Sequence, residues 1–240
     1  IIYRPVRERS LEVLKGLAED LRKSTGYETL SLSSLSASDY TEIQKLITDL
    51  MDRYQEKELA ISLPSLRADS FSIALAEQVQ RVRKTGLTLA PEAGTQRLRD
   101  VINKGVTTED LLRAVQDAVE AGWSLVKLYF MIGLPTETQE DLDGIIGLAR
   151  QVAGISKKLS VTVSVSTFVP KPHTPFQWCP QDTLDQIEEK QEYLKRTLTD
   201  RRVKLNWHHS SLSMLEAVFS RGDRRLGEVL LNAWKSGCKF

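Results

Sequence analysis

Three glycines, Gly26, Gly86 and Gly122, each stand between an amphipathic stretch and a strand-like run. A glycine there predicts a left-handed helix stop, and the runs that follow are "YETLSLSSL", "LTLAPEAG" and "WSLVKLYFMIG". Two further strand candidates are "ELAISLPSL" and "LSVTVSVSTFV". Helical faces fill the spaces between. Leu14, Leu17, Ala18 and Leu21 follow a Ser10 cap, and Ile43, Leu46, Ile47, Leu50 and Met51 follow Asp39 with Glu42 in capping-box spacing. Thr107 with Asp110 precedes Leu111, Leu112, Val115, Ala118 and Val119. Thr138 with Asp141 precedes Leu142, Ile145, Ile146, Ala149 and Val152. Residues Thr183 to Leu198 read as a longer, more charged helix.

Helix–strand alternation sustained to about Val169 implies right-handed crossovers and a parallel sheet, so the fold class is α/β. The sheet is either a doubly wound layer or a barrel. No G-x-G-x-x-G follows a strand, which argues against a dinucleotide site and favours a barrel or partial barrel. After Pro180 the alternation weakens. "RRVKLNW" reads as a last strand and "SSLSMLEAVFSRGDRRLGEVLLNAW" as two short helices. The expected organisation is a partial barrel over residues 1–180 and a C-terminal helical extension, packed on it, over 181–240.

The 240 residues suffice for one large α/β domain or two small ones. A net charge of +1 creates no global field for nucleic acid or an anionic membrane. The pairs Arg201-Arg202 and Arg224-Arg225 are either solvated surface or local contact points. Two cysteines, Cys179 and Cys238, are too few for a disulfide framework and lack metal-ligand spacing, so a reduced, cytoplasmic setting is expected. No stretch approaches the ~20 apolar residues of a membrane span, and no signal peptide is visible. The chain opens on "IIYRPVRERS" without Met, which is expected of a piece of a longer protein.

Ligands of parallel α/β folds bind beyond the carboxyl ends of the strands. Those ends read "SLSSLSASDY", "SLPSLRAD", "LAPEAGTQRLRDVINKG", "MIGLPTETQED" and "STFVPKPHTPFQW". They place Ser33 and Ser34, then Ser65 and Arg67, then Glu92 and Lys104, then Gly133 and Pro135, then Lys171 and His173, on turns stiffened by proline or opened by glycine. Small residues let a flat ligand approach the backbone, and Glu92 with Arg67 offers opposite charges to a zwitterion. Gly133 is expected to bare backbone polar groups. Each turn also has a plainer reading as a strand terminator or exposed loop, and no Ser-His-Asp or His-based metal arrangement can be built from three histidines.

The segments "GLPTETQEDL", "APEAGTQRLRDVINKGVTTEDLLRAV" and "FVPKPHTPFQW" in combination resemble the radical S-adenosylmethionine (SAM) superfamily. They are similar to its methylthiotransferase-like and coproporphyrinogen-dehydrogenase-like branches. "YRPVRERS", "LPSLR" and "KLYFMIGLPTET" resemble an uncharacterised subfamily that often carries a cobalamin-binding-like domain upstream. The resemblance runs to about Arg225. It implies a partial (β/α)6 TIM-like barrel whose first strand is missing here. It also implies SAM bound beside a [4Fe-4S] cluster, whose three cysteines follow C-x3-C-x2-C spacing. No such spacing exists in this sequence. The cluster ligands are therefore expected upstream, and this fragment alone is expected to be inactive.

By position, the resemblance implies SAM contacts from Ser33, Ser34, Ser65, Arg67, Glu92, Lys104, Ile132, Gly133, Leu134 and Val169. Lys171 and His173 would face the substrate. The implied partners are a substrate of RNA or protein, an electron donor, the neighbouring domains of the parent chain and, in the full-length protein, cobalamin. No membrane partner is implied. Two other functions stay open: a cluster-less barrel that binds a nucleoside or RNA, and a barrel enzyme of another kind.

Overall fold

The computed structural model describes residues 5–34, 37–57, 59–62 and 86–238. Helix α1 spans Leu11–Thr25, strand β1 Thr29–Ser31, helix α2 Ile43–Tyr54 and strand β2 Ala60–Ser62. Then come β3 (Leu87–Glu92), α3 (Gln96–Val101), α4 (Thr108–Glu120), β4 (Leu125–Ile132), α5 (Gln139–Gly154) and β5 (Ser160–Thr167). The chain closes with α6 (Leu184–Thr197), β6 (Val203–Trp207), α7 (Ser210–Arg221) and α8 (Leu226–Lys235). Every strand expected from the sequence has a counterpart. The pairs are all parallel, in one sheet ordered β1-β2 and another ordered β3-β4-β5-β6. Among the described residues the sheets do not close into a barrel. β6 lies beyond residue 180 yet forms the fourth strand of the larger sheet.

Local signals explain most helix ends. The Ser10 hydroxyl accepts the Val13 N–H, and Gly26 closes α1 at φ 69°. Gly122, at φ 93°, follows α4 in the same way. The residues before Gly86 lie outside the described set. Thr107 with Asp110 and Thr183 with Gln186 form complete capping boxes. The cap expected at Asp39 is not used. Asp39 belongs to a short 3-10 turn, and α2 starts at Ile43 after Glu42, which makes no side-chain cap bond.

The two faces of the larger sheet differ. Leu87, Leu89, Val126, Leu128, Phe130, Ile132, Val161, Val163 and Val165 are buried in one core with Leu111, Val115, Leu142, Ile146, Ala149 and Ile187 from α4, α5 and α6. Full burial of such a side chain contributes roughly 1.5–3 kcal/mol, so this face anchors the sheet. The alternating residues Thr88, Lys127, Tyr129, Met131, Thr162 and Ser166 are only half-buried, and most are polar. The face away from these helices is therefore the more polar of the two. A second core joins Leu11 and Ala18 of α1 to Leu46, Ile47, Leu50, Met51 and Tyr54 of α2 and Ile61 of β2. Among the described residues, no helix is long and apolar enough to cross a membrane.

Candidate functional site

β3 carries a bulge between Leu89 and Glu92, and Glu92 ends it in the left-handed region at φ 69°. The Lys104 ammonium donates to its carboxylate at 3.2 Å, and each side chain is 26% exposed. The two sequence-predicted site residues therefore meet. Lys104 reaches back because α3 is short and unwinds through left-handed Asn103 and Gly105. The intervening turn is built for packing. A Cβ on Gly94 would lie 2.2 Å from the Ile145 nitrogen, so the turn touches the backbone of α5. Buried Arg99 laces the turn: its guanidinium donates to the carbonyls of Ala93 and Gly94 and to the Thr108 hydroxyl at 2.6 Å. Burial lowers its pKa.

The neighbouring β4 turn differs from the sequence-based expectation in one respect. Gly133 has φ 77°, but its N–H is not bared. Both carboxylate oxygens of Glu137 accept it at 3.0 Å. The Ile132 carbonyl accepts the Phe168 N–H at 2.8 Å, and the Leu134 carbonyl accepts the Glu137 N–H at 3.0 Å. The turn is thus bonded to itself and to the end of β5. Leu134 and Phe168 bury with Ala93 and Leu98, while Met131, Phe176 and Cys179 pack around them. Phe168 and Phe176 meet edge-on, with centroids 6.2 Å apart. This apolar cluster joins the ends of β3, β4 and β5, and half-buried Val169 follows it directly.

The other predicted residues are placed differently. Lys171 donates to Glu216 and to the Ser220 hydroxyl, tying its loop to α7. His173 is exposed at φ 61°, and its N–H donates to Gln177. Ser33 and Ser34 line a cavity of about 400 Å³ with Leu14, Leu17 and Tyr40, and none of Glu92, Gly133 or Val169 lines it. Ser65 and Arg67 lie outside the described residues.

Sequence reasoning passed over four groups. Glu137 lies inside the quoted turn, and its signal is a carboxylate four residues after a glycine. Lys190 gives no local signal, since it sits on a charged helix. Lys127 and Tyr129 were legible as the polar half of a strand alternation. The Lys127 ammonium donates to the Tyr129 hydroxyl at 2.7 Å on the half-buried face.

Known proteins resemble this chain in sequence and in fold. The family model described as the radical SAM superfamily matches residues 1–149. Two relatives from Methanocaldococcus jannaschii are uncharacterized proteins. MJ0966 is 34% identical over 95% of this chain and 49% of its own length, and MJ1620 is 25% identical over 58% of this chain and 26% of its own. The chain thus spans half or less of the curated relatives it matches. Among solved structures, Elp3 from Methanocaldococcus infernus, with its N-terminus deleted, aligns at TM-score 0.56 and 14% identity. The alignment covers 94% of this chain and 58% of that one. Methylornithine synthase (PylB) aligns at TM-score 0.52 and 16% identity, over 92% of this chain and 65% of that one. These likenesses extend the fold to nearly the whole chain. A match over 149 of 240 residues, on a chain whose parallel strands end in the turns that first suggested it, shows that this protein belongs to the radical SAM superfamily.

Proposed function

We propose that this chain is the SAM-binding core of a radical SAM enzyme. The observation that carries the reading is the Glu92–Lys104 ion pair at the end of β3, one strand from the Gly133 turn. A half-buried pair of opposite charges suits the amino and carboxylate groups of a zwitterion. Ile132, Gly133, Leu134 and Val169 are proposed to border the adenosine part, with the Phe168 cluster excluding water from behind. Ser33 and Ser34 are proposed as further contacts, as are Ser65 and Arg67 outside the described residues. When bound and reductively cleaved, SAM supplies the superfamily's hydrogen-abstracting deoxyadenosyl radical. Lys171 and His173 are proposed to lie on the substrate side.

The [4Fe-4S] cluster does not fit this chain's own residues. The sequence has two cysteines, Cys179 is packed against the strand-end apolar cluster, and Cys238 is exposed. Among the described residues, no group of three His, Cys, Asp or Glu could hold a metal ion. Three converging thiolates must come from elsewhere in a longer protein. That protein would be cytoplasmic, with an electron donor, its flanking domains and an RNA or protein substrate as partners, and cobalamin as a further cofactor. The fragment alone would be inactive. The test is anaerobic reconstitution of the full-length parent with iron and sulfide. We expect the visible absorption of a [4Fe-4S] centre and release of 5′-deoxyadenosine from SAM, lost on Glu92→Ala. Colourless, inactive parent protein overturns the reading.

The two-cysteine count also supports a second reading, a cluster-less module that binds a nucleoside or RNA. SAM or RNA binding in calorimetry by a parent protein without iron would select it.

A further inference from the structure

Gly133 is held by charge. Its N–H meets both oxygens of Glu137, whose side chain is only 3% exposed. The cation bonded to that carboxylate is Lys190 of α6, with Nζ 2.6 Å from Oε1. The same ammonium lies 2.6 Å from Oδ2 of Asp182, in the segment before α6. That Asp182 oxygen is 2.7 Å from the place a Cβ on Gly133 would take. One lysine therefore ties two carboxylates together directly against one glycine.

A carboxylate with two free oxygens can grip an N–H from both sides, whereas a protonated one gives up an acceptor. Burial pushes Glu137 toward its neutral acid, while Lys190 and the Gly133 N–H oppose that and leave it above the usual carboxylate range. Burial alone would lower Lys190, but Asp182 and Glu137 outweigh it, so its pKa is raised and it stays charged at neutral pH. The surrounding charges do not substitute for it. Beside Glu137, a cavity of about 550 Å³ is lined by Glu189, Glu192 and Arg196 from α6, with Gln139, Gln186 and Tyr193. In the first turn of α5, Asp141 is paired with Arg97 and Glu140 is exposed.

We infer that Lys190 is a positioning residue: from α6, behind the site, it keeps Glu137 charged so that the β4 turn holds the shape in which it meets SAM. This rests on reading the Gly133 turn as part of the SAM site. It couples α6, on the outer face of the sheet, to affinity at the strand ends. Lys190 touches no reacting atom in this scheme.

The test uses the reconstituted full-length parent, with SAM binding measured by equilibrium dialysis from acid to alkaline pH. An isotope-edited infrared titration of the Glu137 carboxyl accompanies it, with Glu137→Gln identifying its band. Lys190→Gln is expected to weaken binding about tenfold at neutral pH. Affinity should recover as pH rises, in step with ionisation of Glu137. Lys190→Arg should restore near-normal affinity. Glu137→Gln should weaken binding without that pH dependence, which keeps the inference testable if Lys190→Gln does not fold. A Lys190→Gln protein with wild-type affinity and pH profile, or a Glu137→Gln protein that binds like wild type, overturns the role of Lys190. Failure of the wild type itself to bind SAM overturns the reading of the site, and the inference with it.

Discussion

Glu92, Asn103, Thr136 and His173 are non-glycine residues in the left-handed region, Glu92 at the very end of β3 and the others in turns beyond a strand or helix. Such a conformation costs a β-carbon-bearing residue about 1–2 kcal/mol, and it persists where its surroundings over-determine it. For Glu92 the partner is Lys104. Glu92→Gly should therefore keep or slightly raise thermal stability while abolishing SAM binding, measured by melting and by dialysis on the same protein. Gly133→Ala should act in the opposite sense on stability. At φ 77° and 2.7 Å from Asp182 it adds strain and a clash, with a loss of about 1–3 kcal/mol in chemical denaturation. Charge matters at residue scale too. Glu19 has its pKa lowered to about 2 by Arg22 first and the Tyr54 hydroxyl second. Its stabilisation is present above its ordinary 4.5 and is lost as pH falls from there toward 2. Denaturation midpoints over that window should fall in the wild type and fall less in Glu19→Gln. The Glu92 and Gly133 geometries were not legible in the sequence, because Lys104 and Asp182 lie a helix or more away along the chain, whereas Glu19 and Arg22 are a local i,i+3 pair.

At the scale of elements, the junction of the β3 turn with α5 is set by two glycines. A Cβ on Gly94 would meet the α5 backbone at 2.2 Å, and one on Gly144 would meet the Gly94 carbon at 2.8 Å. Thr95, Arg97 and the Thr138 N–H all converge on buried Asp141 at the same junction, and together they outweigh burial and lower its pKa. Gly144→Ala should push α5 off the turn and destabilise by several kcal/mol, whereas Gly147→Ala, with nothing within 4 Å, should be neutral or stabilising. Paired melting curves of the two variants check this. Helix starts at Ser10, Thr107 and Thr183 were readable because a cap is a local bond, formed within three residues. Asp39 misled for the same local reason. Its spacing was right, but a 3-10 turn took the residue and α2 began at Ile43. Thr183→Ala should cost about 1 kcal/mol and fray the end of α6 that precedes Lys190, read as faster amide exchange there.

At the scale of the whole molecule, the described strands form two parallel sheets, and α7 and α8 leave Leu212, Leu215, Leu230 and Trp234 each more than half exposed. The alternation of helix and strand, the parallel class, the strand-end turns and the absence of a cysteine triad are properties of order along the chain. They follow from periodicity and spacing, so the sequence by itself determined them. Which strand-end residues meet was decided only by tertiary structure. Glu92 finds Lys104 across a helix, while Gly133 is gripped by Glu137 and, through it, by Lys190 some fifty residues on. Ser33 and Ser34 were drawn instead to a cavity beside α1. Hydrogen bonds and ion pairs require contact at about 3 Å, and such contact between distant residues exists only once the core has packed the elements that carry them.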